Sequence, residues 1–511
     1  MLWRRALKGI RPIDATTSAL RSRIVPCPAP DKLVLDLKNL HESGELIVKK
    51  GDPVLMYQNL TIPFSDAAPI HSPTSGLIDN ICTSGAGPSQ IITTITIASD
   101  GAEESIELCS IDDWRQLMPD ELLQRITDAG IRDPNNHLET LTGLLSELKV
   151  QGVQHLVINA VETDPYVSAN TALLREHADE VVTGASILQQ ACAAQTCSIA
   201  ITNRNSAAML ALKKATAGSA IRIARIPAIY PAHEPVVLTR AITGTRLRSA
   251  EDALQTGVAI LDAGTAFATK EAVINGIPQV TRITTLTGSP LRTPKNFKVC
   301  LGTPVEFLLQ VCGLDSSTEH TSFTGGAMRA HAVDASNTFV TWDTNCIVCK
   351  FEPDINPQGS AAPCIGCNRC SDVCPVDLFP QQLYRVAVQN DIVALEQFDL
   401  DQCLECGACD YVCPSRISLV EKFQSARQVL QKQLTEQKLA EHWQARMRQN
   451  RFRLEKPDSK VNIVATTNQH DHSRPNAGFS RTTAQQEIAA AVARVKAKRD
   501  QSNDTKTGGD T

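Results

Sequence analysis

No stretch of this 511-residue chain comes near the ~20 consecutive apolar residues that a membrane-spanning helix needs. The most apolar segments, such as residues 258–268, are short or carry an Asp or Lys. The N-terminus holds Arg4, Arg5 and Lys8 but lacks the apolar run of an export signal, because Gly9, Pro12 and Asp14 follow at once. No export signal is therefore expected, and the reducing cytoplasm is the expected compartment. Leu2, Trp3, Ala6 and Leu7 stand among the three basic residues, so the segment reads as a frayed terminus or a short interfacial helix. Any membrane contact would be peripheral. Neither sign of charge is in surplus. Lys+Arg 50 against Asp+Glu 55 gives -5, so no global basic field awaits nucleic acid. With 42% hydrophobic and 21% charged residues the chain is not of the disordered class. Cysteine is plentiful, at 17 residues. Disulfide scaffolds are short secreted chains, so in a chain this long the placement of the thiols matters more than their number.

The length predicts roughly three or four domains. Residues 1–112 read as short strands (33–35, 45–48, 53–56, 76–78) with turn signals between them, in the order of a biotinyl- or lipoyl-like barrel sandwich. Residues 113–245 alternate helix and strand, with strands at 156–158, 198–201 and 221–223, which predicts a Rossmann-like α/β domain with a parallel sheet. Residues 246–335 return to short strands and one helix at 304–312, a small β-grasp-like (SLBB) unit. The cysteines gather in 340–430, with helices expected between and after them, the last at 419–430. Residues 431–511 hold 15 Lys/Arg and 9 Asp/Glu, a net of +6 that leaves -11 on the remainder. Residues 431–454 are polar nearly all round and read as an exposed helix, 487–500 as a second helix former, and the last ten as disordered. This charged tail reads as a solvated appendage or as a contact for acidic lipid headgroups or an acidic partner.

Cys364-x-x-Cys367-x-x-Cys370-x-x-x-Cys374-Pro375 is followed by Cys403-x-x-Cys406-x-x-Cys409-x-x-x-Cys413-Pro414. This is the spacing of a bacterial two-cluster ferredoxin, in which the fourth cysteine of each run ligates the other cluster. Cluster one is therefore expected on Cys364, Cys367, Cys370 and Cys413, and cluster two on Cys403, Cys406, Cys409 and Cys374. Zinc sites pair their ligands across longer loops, and two copies of a four-cysteine run ending in Pro would be a coincidence under zinc. The matching place of Gly366 in the second run is held by Glu405. The other nine cysteines are scattered and read mostly as small packed hydrophobes. Cys346-x-x-Cys349 is the exception in spacing, but two thiols alone do not hold such a cluster.

This order of domains resembles the RnfC (RsxC) family, a component of the Rnf (Rsx) ion-translocating electron transport complex. The resemblance runs along nearly the whole chain and rests on Gly9 to Pro12, His71 to Gly76, residues 169–180, Gly264 to Phe267, Thr344 to Cys346, and above all the two cysteine runs with Pro380 to Tyr384. It implies a peripheral subunit on the cytoplasmic face of the bacterial inner membrane, with the other subunits of the complex as partners and electrons exchanged between ferredoxin or NAD(H) and the membrane. It implies two [4Fe–4S] clusters, and FMN and NAD(H) in an α/β domain similar to the flavin subunit of respiratory complex I.

At three loops this chain departs from the family. Where the family has Gly-x-Gly-Gly-Ala-Gly-Phe-Pro-Thr, whose bare backbone N–H groups cradle a phosphate, this chain reads Arg132-Asp133-Pro134-Asn135-Asn136-His137. Residues 159–166 and 229–235 have drifted too, although Glu162 and Glu234 persist. Flavin and nicotinamide binding is thus expected to be weakened or lost, while the fold persists. An electron relay through two clusters is the leading reading. A flavin-dependent NADH dehydrogenase with its own site, and a docking subunit without redox chemistry at that site, stand as alternatives.

Overall fold

The structure, a computed structural model, describes residues 7–13, 17–38, 44–64, 67–85, 91–135, 140–247, 256–314, 319–329, 331–351 and 361–455. Alternation builds the first domain. Leu35 and Leu37 of Lys32–Lys38, Ile95 and Ile97 of Ile91–Ser99, and Ile78 of Gly76–Gly85 meet in one core. With Pro53–Val54 these strands form a four-stranded antiparallel sheet, and the short pair Gly44–Leu46 and Thr61–Pro63 lies beside the same core.

The next sheet is parallel, in the order Arg222–Ile226, Thr196–Thr202, His155–Ala160, Val258–Asp262. Its inner strands are buried along nearly their whole length, as a sheet covered on both faces requires. Pro119 opens the helix Pro119–Asp128, where its missing N–H costs nothing. The helical period over 169–190 is interrupted at His177, which leaves helical geometry at φ -129 and separates Ala169–Glu176 from Ala178–Ala191. The boundary expected at 245 is displaced. Val258–Asp262 pairs with His155–Ala160, and the helix Ala263–Asn275 shares a core with Ala178–Ala191, so both belong to the α/β domain.

The third sheet is mixed and six-stranded: Val25–Pro26, Lys295–Cys300, Thr281–Thr287, Cys346–Phe351, His320–Thr324 and His331–Val333. The helix Val305–Val311 packs on it. Two boundaries shift here as well. Val25–Pro26, expected in the barrel, pairs with Lys295–Cys300, and Cys346–Phe351, expected in the cysteine domain, is an inner strand. Cys346 and Cys349 are therefore buried in this sheet, away from the cysteine runs, where burial pushes the Cys349 thiol up to about 11.

The cysteine domain is built on the helices Arg369–Val373, Pro380–Gln389, Ile392–Gln397, Ala408–Tyr411 and Leu419–Glu455. The helices expected at 419–430 and 431–454 are one, since no Gly or Pro stands between them. Leu419, Phe423, Ala426 and Leu430 recur at helical spacing and are buried. Residues 1–436 form one compact unit and 437–511 a second. Among the described residues no helix is long and apolar enough to cross a membrane. The interfacial segment at 2–6, the helix at 487–500 and the terminal ten residues lie outside the described residues.

Candidate iron–sulfur centres and the adjoining cleft

Cys374, Cys406 and Cys409 are each 8% exposed, and with Cys403 they line one apolar cavity among Val376, Leu378, Leu383 and Phe423. The thiols feel one another electrostatically: Cys374 acts on Cys403 and Cys406, and those two act on Cys409. The fourth cysteine of the first run thus stands with the first three of the second. Backbone N–H groups are aimed at these sulfurs, that of Leu378 at 3.3 Å from Cys374 Sγ, those of Glu405 and Ala408 toward Cys403 and Cys406. Such donors favour thiolate. Burial opposes them and pushes the Cys403 and Cys406 thiols up to about 11 and about 12. Iron ligation deprotonates a thiol outright, so the donors would then act on ligated sulfur.

Among the described residues no three His, Cys, Asp or Glu side chains converge as ligands of one ion. A single zinc draws its thiolates to about 2.3 Å. A cubane cluster interposes irons and sulfides, so its thiolates stand spread around a cavity, and the arrangement fits that group better.

The first run lies nearer solvent. Cys364 and Cys367 are exposed, Cys370 and Cys413 partly so. Ala362 N donates to Ser415 O at 2.9 Å and Ser415 Oγ to Pro363 O at 3.0 Å, which stitches the start of the run to the segment just after Cys413. Cys367 acts on Cys370, as neighbours in one turn should. The two runs repeat the same backbone. Gly366 (φ 67), Asn368 (φ 59) and Asp377 (φ 60) match Glu405 (φ 52), Gly407 (φ 74) and Arg416 (φ 52), all left-handed.

The second turn is also clamped from outside. The Cys403 carbonyl accepts from Arg427 Nη2 at 2.6 Å, the Leu404 carbonyl from Arg329 Nη2 at 2.5 Å, and the Cys406 carbonyl from the Tyr230 hydroxyl at 2.5 Å. With carbonyls held outward, N–H groups are left to face the sulfurs. Cysteine spacing carries no trace of these three residues.

Leu404, Gln402 and Asp401 form one wall of a cleft of about 510 Å³, within the usual range for a ligand site. It opens at the carboxyl ends of the parallel strands, where doubly wound sheets bind ligands. Glu162 accepts from Asn170 N at 2.7 Å and Thr171 N at 3.0 Å, filling the N-terminus of Ala169–Glu176, and burial pushes its carboxyl up to about 7. Arg282 pairs with Asp262 at 3.1 Å and Arg329 with Glu234 at 2.6 Å. Asn135 Nδ2, Asp164 Oδ1, Arg282 Nη1 and Arg329 Nε are buried there without a hydrogen-bond partner.

A flavin phosphate needs free backbone N–H groups. Arg132 N already donates to Gln279 Oε1 at 2.8 Å, Pro134 has no N–H, and Asn135 N donates to Asp133 Oδ1 at 2.8 Å. The other Asp133 oxygen accepts from Asp262 N at 2.7 Å, and burial pushes its carboxyl up to about 6. The described part of this loop does not fit a flavin phosphate, in keeping with its missing glycines; His137 lies outside the described residues.

Three family models match: the RnfC barrel sandwich hybrid domain over residues 5–102, the Nuo51 FMN-binding domain over 141–271, and a 4Fe-4S dicluster domain over 363–417. The second match begins after the divergent loop. A chain of an NAD+-reducing [NiFe]-hydrogenase in the H2-reduced state aligns with a TM-score of 0.42 and 14% identity, covering 62% of this chain and 63% of that one, a likeness too slight to carry an argument. The RnfC protein of the ion-translocating oxidoreductase complex of Serratia proteamaculans is 35% identical over 74% of this chain and 54% of that protein. Its counterpart in Erwinia tasmaniensis is 34% identical over 74% and 47%. The chain thus spans about half the length of these two relatives. The Haemophilus influenzae (strain PittEE) protein of that name is 31% identical over 96% of this chain and 76% of its own length. With that coverage and the three domains in order, the chain belongs to the RnfC family of ion-translocating oxidoreductase complexes.

Proposed function

We propose that this chain is a peripheral subunit, on the cytoplasmic face of the inner membrane, of an ion-translocating electron transport complex. In this reading it relays electrons through two [4Fe–4S] clusters, between ferredoxin or NAD(H) and the membrane subunits that carry the ion. Cys364, Cys367, Cys370 and Cys413 hold one cluster; Cys403, Cys406, Cys409 and Cys374 hold the other. A bound [4Fe–4S] cluster supplies one-electron transfer, and no proton-transfer group is required of the protein. The chain's own part is to supply thiolates, aim N–H groups at sulfur, exclude water from the second centre and leave the first near the surface. The observation that carries the reading is Cys374 standing among Cys403, Cys406 and Cys409 around one apolar cavity. Crossed ligation of this kind holds two clusters close together. The β-grasp-like character of the six-stranded sheet belongs to the same proposal.

Anaerobic purification of the full chain tests it. The expected result is about eight irons that reduce and reoxidise, with no stoichiometric flavin and no NADH-dependent dye reduction. Zinc in place of iron would overturn the relay. One flavin per chain with dye reduction would favour the dehydrogenase alternative.

A further inference from the structure

We propose that Arg329, which lies outside the cysteine domain, is a positioning residue that raises the reduction potential of the second cluster and links it to the cleft. This rests on the ligand assignment above. Arg329 follows the turn after His320–Thr324, and its guanidinium spans two domains. Nη1 binds Glu234 at 2.6 Å in the cleft, Nη2 binds the Leu404 carbonyl at 2.5 Å inside the Cys403–Cys406 turn, and Nε is buried without a partner.

The backbone fixes this placement. A Cβ on Gly407 would meet the Met328 carbonyl at 2.8 Å, so the residue before Arg329 packs directly on the cluster turn. Met328 N also reaches Asp164 Oδ2 at 3.4 Å, in the loop after the strand His155–Ala160. Reducing a cluster adds negative charge, and a fixed guanidinium in a buried setting favours that form. Glu234 offsets part of this charge. Arg427 also binds the turn, but its ion pair is with Glu405 of the turn itself, at 2.7 Å. Of the two arginines, Arg329 alone joins the turn to the cleft, so a ligand that engages Glu234 or the free Nε would change the charge felt at the second cluster.

The test is an EPR-monitored redox titration of the anaerobically purified full chain. Arg329→Gln should lower one midpoint by about tenfold in its reduction equilibrium, about 59 mV for a one-electron couple. The other midpoint should stay, and Arg329→Lys should remain near wild type. Glu234→Gln should move the same midpoint upward. With wild-type iron, unmoved midpoints in both neutral variants, or equal shifts of both clusters, would overturn the proposal. Should Arg329→Gln shed iron, Glu234→Gln decides alone, and a fall or no shift sinks the idea. A wild-type chain without two cluster signals would instead refute the relay and take this inference with it.

Discussion

The two cysteine runs share spacing, left-handed turns and a Pro after the last thiol, yet they sit in opposite surroundings. Cys364 and Cys367 of the first are exposed, while Cys406 and Cys409 of the second are 8% exposed and its carbonyls are held by Arg427, Arg329 and Tyr230. Ligand spacing repeats because cluster geometry demands it. Surroundings differ because each run faces a different neighbour, the second the cleft and the first the surface. A relay needs that asymmetry: an inner centre shielded from water and an outer one within reach of a partner.

Ligand substitutions should break the comparison most sharply. Cys406→Ser and Cys367→Ser should each reduce iron from about eight to about four per chain. Cys406 also packs with Ile10, Tyr230 and Ala408, so its serine variant buries a hydroxyl and should lose a further ~1–3 kcal/mol of stability, seen as a lower midpoint in urea. Equal stability in the two variants would deny the inner run its structural role. Next in size is iron loss to a chelator. The exposed run should release its iron about tenfold faster than the buried one, because release from the latter requires local opening. A single-phase loss of all iron would refute the distinction.

The asymmetry was not written in the cysteines. Both runs and the crossing of Cys374 were legible, because a cluster fixes its ligands locally. The parallel sheet was legible from the apolar strands at 156–158 and 198–201. Which sheet a strand joins was not: Val258–Asp262 has the pattern of a buried strand, which names no neighbour, and Val25–Pro26 is too short to have a pattern. Arg329 and Tyr230 reach the second turn across 75 and 176 residues of sequence, through folded contacts that no local motif encodes. The lost phosphate loop was legible as missing glycine. That Asp133 and Glu162 occupy backbone N–H groups there required the fold.

The acidic cleft beside the inner run yields a pH dependence. Burial raises Glu162 to about 7 and Asp133 and Asp164 to about 6, all above their unfolded values. Between pH ~4 and ~7 the native state therefore binds more protons than the unfolded one, so stability is greatest at the acid end and falls as pH rises. Between pH 5 and pH 8 the fall due to Glu162 should be of order 2 kcal/mol. Thermal melts followed by circular dichroism should show a flatter profile in Glu162→Gln, with iron content unchanged. An identical slope in that variant would remove Glu162 from the account.

The smallest effect compares the two turns directly. Gly366 and Glu405 hold the same left-handed place, at φ 67 and φ 52. A Cβ on Gly366 would touch nothing within 4 Å, so Gly366→Ala meets only backbone strain and should cost ~1 kcal/mol in urea denaturation. Glu405 already bears that strain, offset by its ion pair with Arg427 at 2.7 Å and the bond from Gln424 Nε2 at 3.0 Å. Glu405→Gly would relieve the one and lose the other, and should come out near neutral. If Gly366→Ala were the neutral change and Glu405→Gly the costly one, the two turns would differ in backbone as well as in surroundings.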